Sequence, residues 1–159
     1  MELTQARVRE LFDYVDGQLF PKIRTHGRKP GVAVGCNSGG YLITMVEGKL
    51  YKVHRLVYLW HHGHMPKLLD HIDGNRSNNR IDNLREATDQ QNGCNRGKNK
   101  NNKSGHKGVH YDKRRGKWQA QIMVNRKNFH VGYFDDPEEA HEAYKKAAAN
   151  YHGDFARAS

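Results

Sequence analysis

The eight residues from Arg96 to Lys103 read R-G-K-N-K-N-N-K and include no apolar side chain. Such a run buries nothing that could offset the entropy of ordering it, so no single core can pass through it. It reads as a basic linker over 96–103, dividing the 159 residues into modules at 1–95 and 104–159. Each has room for one modest core. A hydrophobic content of 36% fits two small modules better than one large globule. No apolar run reaches membrane-span length, and the N-terminus lacks the charged, apolar and small-residue order of a signal peptide, so a cytoplasmic location with no membrane partner is expected.

The charge is concentrated. From Arg96 to Val131 there are eleven Lys or Arg and one acid, Asp112, which accounts for the whole formal net charge of +10. Elsewhere sixteen basic residues balance sixteen acidic ones. A field gathered this way is the footprint of a polyanion-binding surface. Cys36 and Cys94 are far apart and in no C-x-x-C pair, so plain thiols are expected, with neither a disulfide framework nor a zinc ribbon.

Ahead of the linker, residues 68–96 carry the chemistry. A short apolar run ends in Asp70-His71, and a loop rich in Asp, Gly, Asn and Ser follows. A second short run covers Asn83 to Ala87, and a helix opens at Thr88 with Gln91 three residues on, the signature of a capping box. The pattern is strand, loop, strand, helix. Asp70 and the amide oxygen of Asn92 are donors of the kind Mg²⁺ takes, with the rest of its shell left to water and phosphate. His71, on the opposite strand face from Asp70, can act as a base. Asn83, at the start of the returning strand, is placed to hold the histidine ring.

At D-H-I-D-G-N, N-N-R-I-D-N-L-R and T-x-x-x-N, over roughly residues 50 to 96, the chain resembles the HNH (ββα-metal) endonucleases, especially their intron- and phage-encoded homing branch. The resemblance implies Asp70 and Asn92 as ligands of a divalent ion, Mg²⁺ or Mn²⁺, His71 as general base and Asn83 as the middle asparagine. It implies homing-type use by a phage or mobile element, in a phage-infected host or bacterial cytoplasm, with no small-molecule cofactor. Asn92 stands where the family's name has histidine.

The rest of the first module reads as scaffold. Val8, Leu11 and Phe12 lie at helical spacing within the first fifteen residues, and Asp16-Gly17 turns the chain. Strands follow to Val53, with Glu47-Gly48 as a hairpin turn. Residues 54–63 form a helix closed by Gly63. His61, His62 and His64 read as complements to that helix's C-terminal dipole, since no carboxylate or cysteine joins them at ligand spacing. His54 reads equally as a phosphate contact and as a structural residue.

Beyond the linker, strand-like stretches cover roughly Gly105 to Tyr111, Lys117 to Val124 and Asn128 to Phe134. Asp136-Pro137-Glu138-Glu139 then opens a helix. Alternation on the middle strand sets Trp118, Ala120, Ile122 and Val124 against Lys117, Gln119, Gln121 and Met123. S-G-H-K-G-V-H-Y, G-K-W-Q-A-Q-I and V-G-Y-F-D-D-P-E-E-A-H-E-A-Y resemble the plant ethylene-response-factor (APETALA-type) DNA-binding domain, over about residues 104 to 155. The resemblance implies an open sheet face entering the major groove of double-stranded DNA, with Lys107, His110, Gln121, Met123 and His130 on it, and the alternation adds Lys117 as a DNA-binding residue on the same face. Lys98, Lys100 and Lys103 of the linker are expected to track phosphates. The expected fold class is α+β: a ββα-metal nuclease module, then a three-stranded antiparallel sheet packed on one helix. Two other readings stay open, a DNA-binding regulator with an inert nuclease motif and an RNA-binding protein. Target sequence, nicking or double-strand cleavage, and oligomeric state are not written in the sequence.

Overall fold

The computed structural model describes residues 3–24, 28–98 and 101–156. The protein is α+β, and by its contacts the chain divides into two units, Met1–Ala87 and Thr88–Ser159. Among the described residues no helix is long and apolar enough to cross a membrane.

In the first unit, α1 (Gln5–Leu11) is capped by Thr4, whose side chain accepts from the Arg7 N–H. The helix stops at Leu11, although the helical spacing runs on to Phe12. Phe12–Val15 is instead a strand, β1, paired antiparallel with β2 (Gln18–Pro21). Tertiary pairing overrides the helical spacing here, because Phe12 and Leu19 are both buried by the hairpin. Asp16 and Gly17 take φ of 48° and 84°, the left-handed pair that a two-residue hairpin turn requires. A Cβ on Gly17 would lie 2.8 Å from the Arg80 backbone nitrogen. The tip of this hairpin therefore presses directly on the loop carrying the D-H-I-D-G-N sequence.

A meander of β3 (Cys36–Ser38), β4 (Tyr41–Val46) and β5 (Lys49–Lys52) follows. Its turns are Gly39-Gly40 and, as expected, Glu47-Gly48. β5 runs straight into α2 (Val53–His62), which ends at left-handed Gly63 with φ of 81°. Leu56 and Val57 on α2 are fully buried and meet Val8, Phe12, Leu19, Val46 and Leu84 in one core. Truncating Leu56 there would cost about 2–5 kcal/mol. Trp60 is half-buried at the rim of this core. β6 (Leu69–His71) then pairs antiparallel with β7 (Leu84–Glu86), matching Asp70 to Arg85 and His71 to Leu84. The return strand starts one residue later than expected, because Ile81–Asn83 closes as a 3-10 turn.

The second unit opens with α3 (Asp89–Cys94), where Thr88 and Gln91 form the full capping box. β8 (Val109–Asp112), β9 (Lys117–Val124) and β10 (Lys127–Phe134) make an antiparallel sheet with β9 in the middle. The β9–β10 turn is Asn125-Arg126, both at positive φ. α4 (Pro137–His152) is opened by Asp136, which accepts from the Glu138 N–H at 2.6 Å. It packs Ala140, Tyr144 and Ala148 on Val109, Ala120 and Ile122. Gly108 is required beneath this helix, because a Cβ there would lie 2.2 Å from the Tyr144 ring. Tyr151, near the end of α4, is exposed and stacks on Phe129.

Candidate active site and nucleic-acid interface

Asp70 and His71 are adjacent on β6, and both are buried. Across the hairpin, the Arg85 Nε and Nη2 atoms donate to Asp70 Oδ2 at 3.1 and 3.0 Å, a buried pair that fixes the carboxylate. On His71, Nε2 meets Asn79 Oδ1 at 3.1 Å. Asn79 is almost fully buried, 2% exposed. Burial lowers the pKa of His71 below the ordinary histidine value, the Asn79 hydrogen bond opposing it, so the ring is neutral near pH 7 and able to take a proton. A second ring packs on it: His54, from the first turn of α2, lies edge-on at a centroid distance of 4.9 Å.

The loop between β6 and β7 is held by its own side chains. Asp73 Oδ1 accepts from the Asn75 N–H and Asn83 Nδ2, and Asp73 Oδ2 accepts from Asn78 Nδ2. Asn83 Oδ1 accepts from the Asp73 N–H at 3.0 Å, and Asn83 Nδ2 also donates to the Asn78 carbonyl at 2.8 Å. Burial works against ionisation of Asp73, but the hydrogen bonds from Asn78, Asn75 and Asn83 outweigh it and hold the carboxyl below its ordinary range. The Asn83 carbonyl accepts from the Ile72 N–H at 2.9 Å. Asn83 thus locks the loop that follows His71, while the side-chain oxygen at the ring is that of Asn79.

In the second unit, pairing register identifies the open face of the sheet. His110 lies opposite Gln119, Gln121 opposite His130, and Met123 opposite Asn128. A bulge between His130 and Gly132 shifts the register, and Tyr133 comes opposite Gln119 on this same face. Gln119 Nε2 and His130 Nδ1 are 2.9 Å apart. The His130 and Tyr133 rings are 4.5 Å apart, and the Arg115 guanidinium lies 4.5 Å over Tyr133. Of the lysines read from the sequence, Lys117 pairs with Asp135 at 3.2 Å. Lys107 sits in the turn before β8 and donates to the Cys94 carbonyl at 2.6 Å. Lys98 donates to the Gly105 carbonyl at 3.1 Å, and Lys103 is exposed. Lys100 lies outside the described residues.

Comparison with known proteins bears on both units. The pattern of the HNH endonuclease family matches residues 51–94, and that of the AP2 domain matches residues 104–154. Protein 3.8 of Escherichia phage T7 is 35% identical over 107 residues, which are 65% of this chain and 88% of the phage protein. The chain belongs to the HNH endonuclease family. It carries a C-terminal AP2 domain, and both domains imply DNA binding. A mimivirus protein (Acanthamoeba polyphaga mimivirus), described as uncharacterized HNH endonuclease L560, is 33% identical over 120 residues, 74% of this chain. The chain spans 61% of that protein's length. No solved structure gives a significant match.

HNH nucleases use a divalent metal, and the donors here fit a hard cation. Asp70 supplies a buried, oriented carboxylate, an oxygen donor of the kind a hard cation such as Mg²⁺ takes. Asn92, on α3, has its backbone N–H bonded to the Thr88 carbonyl at 2.9 Å. His64 does meet a carboxylate, Glu86 Oε1 at 2.7 Å, which comes from β7 and so had no signal in local spacing. Arg85 and Asn79 were likewise not singled out from sequence. Arg85 could have been found only by knowing the hairpin register, whereas Asn79 is one asparagine among several in a polar loop. Tyr133 and Arg115 were hidden by the bulge and by a turn.

Proposed function

We propose that this HNH protein is a divalent-metal-dependent endonuclease of the homing type, acting on double-stranded DNA for a phage or mobile element. The observation that carries the reading is the pairing on β6 of a buried carboxylate, clamped by Arg85, with a buried histidine steadied by Asn79. In this reading His71 is the general base that takes the proton of the attacking water. Asp70 and Asn92 hold the divalent ion, Mg²⁺ or Mn²⁺, by oxygen. Bound there, the ion supplies positive charge to the scissile phosphate and to the leaving oxygen. Arg85 fixes the direction of Asp70, and Asn83 fixes the loop behind His71, so in-line geometry is set before substrate arrives. The products are a 5′-phosphate and a 3′-hydroxyl.

In this reading the nuclease module covers 1–95, a basic linker covers 96–103, and a reader covers 104–159. Site choice falls to the reader. Its open face offers His110, Gln121, Met123 and His130, joined by Gln119 and Tyr133, to base edges, with Lys117 at its margin. Lys98, Lys100, Lys103 and Lys107 supply phosphate contacts. Incubating the full chain with supercoiled phage DNA, with Mg²⁺ or with chelator, tests the reading. Nicked or linear product only with Mg²⁺ supports it, whereas DNA retained and shifted but never cut would leave a DNA-binding regulator with an inert HNH motif.

A further inference from the structure

Around the Tyr41 ring the HNH unit gathers two cations beside His71. Lys52 Nζ lies 4.0 Å from the ring centroid and the Arg76 guanidinium carbon 4.9 Å from it. The same ring is 5.4 Å from His54 and 6.2 Å from His71. His54 touches both, so Tyr41, His54 and His71 form one contiguous group with the two cations at its outer end. Both cations are exposed. Among the described residues neither is paired with a carboxylate: the Arg76 Nη1 atom donates to the Gly39 carbonyl at 3.3 Å, and no ion pair includes Lys52.

Two like charges brought onto one ring repel, and among the described residues no carboxylate pairs with either. Lys52 is also the cap residue of α2, whose first turn holds no acid, so the helix dipole adds to the same positive field. The loop bearing Arg76 is pinned in place, because Ser77 Oγ donates to the Gly40 carbonyl at 3.1 Å. Gly40, at φ of 85°, lies beside the Arg76 side chain, where a Cβ would make ordinary contact with Arg76 Cδ at 3.6 Å. The β3–β4 turn therefore holds the Arg76 loop.

We propose that Lys52 and Arg76, carried on Tyr41, form a clamp for the backbone phosphates of the DNA strand that is cut. It grips phosphates beside the scissile one and sets the strand's register against His71. The ring gives both cations a rigid base without neutralising them, and their remaining N–H groups face the ligand. The inference rests on the endonuclease reading above. It differs from the recognition carried by the AP2 sheet, since it positions the strand and reads no sequence.

The test is a salt titration of duplex binding by full-length His71→Ala protein, with and without Lys52→Gln/Arg76→Gln. The expected result is a log–log slope flattened by about 1 to 2 units, the yield of one or two phosphate contacts. Lys29→Gln/Lys49→Gln, an equal charge change elsewhere on the unit, should leave the slope within about half a unit. In single-turnover cleavage at saturating protein, the clamp variant in a His71 background should be slowed about tenfold or more, with circular dichroism unchanged. An unchanged slope, or one flattened equally by the control pair, overturns the clamp. Failure of the parent protein to cut in Mg²⁺ would overturn the endonuclease reading instead, and the slope would still report on the clamp.

Discussion

Arg85 grips Asp70 from directly across the β6–β7 hairpin, both contacts falling on Oδ2 at 3.0 to 3.1 Å. The two side chains are 16% and 6% exposed, so water screens the pair little. Removing one partner leaves a buried charge uncompensated, which costs about 3–5 kcal/mol. Arg85→Met should destabilise the HNH unit by that amount, and Asp70→Asn/Arg85→Met should recover much of it. Urea unfolding followed by Trp60 fluorescence, in a Trp118→Phe background, measures both. Equal stabilities for Arg85→Met and the parent would mean the pair does not act as a structural clamp.

His54 makes acid stability informative. The residue is 4% exposed, its Nδ1 has no hydrogen-bond partner among the described residues, and burial first, then the neighbouring His71, Lys52 and Arg55, lowers its pKa to about 3. Between about 3 and the ordinary 6.5 the unfolded chain binds a proton that the folded chain refuses, so this group's contribution to stability is full above 6.5 and is lost as pH falls. The slope approaches about 1.4 kcal/mol per pH unit within that window. Urea midpoints taken from pH 7 to pH 4 should fall less steeply for His54→Leu than for the parent.

His64 behaves in the opposite sense. Its hydrogen bond to Glu86, then one to the His62 carbonyl, raises its pKa above 6.5, while His64 and then Tyr58 hold Glu86 below its ordinary range. The pair's contribution is present between the lowered Glu86 value and the raised His64 value. It fades as pH rises through the one or falls through the other. Titration of the His64 ring protons by NMR should show the raised value, and Glu86→Gln should return it towards 6.5.

These residues mark where the sequence was legible. The capping box at Thr88, the Glu47-Gly48 turn and the Gly63 stop were readable because each depends on neighbours within four residues. Asp70-His71 on a strand was readable from its apolar lead and polar loop. What escaped depends on register. Arg85 faces Asp70 only because a loop of fixed length and a 3-10 turn bring them level. Simple alternation from His130 puts Gly132 and Phe134 on its face, yet the bulge turns Tyr133 there instead. The helical spacing at Phe12 lost to the β1–β2 pairing for the same reason.

The basic linker and the AP2 sheet should separate in their salt response. Neutralising Lys98, Lys100 and Lys103 together should flatten the slope of log Kd against log salt by up to about three units, and weaken specific and random DNA alike. Gln121→Ala or His130→Ala should change preference between sequences with little change of slope, because base-edge contacts release few counterions. Fluorescence anisotropy on a cut-site duplex and a scrambled one distinguishes the two. An unchanged slope in the triple lysine variant would make the linker a tether.

The central claim is that the His71 ring does the proton transfer, and one comparison tests it most directly. Single-turnover cleavage of a DNA substrate in Mg²⁺, at saturating protein, should be about 10²–10⁴-fold slower for His71→Ala than for the parent, while Kd for the same duplex in chelator stays within about threefold. A variant that cuts at close to the parental rate, with its fold intact by circular dichroism, would contradict the account.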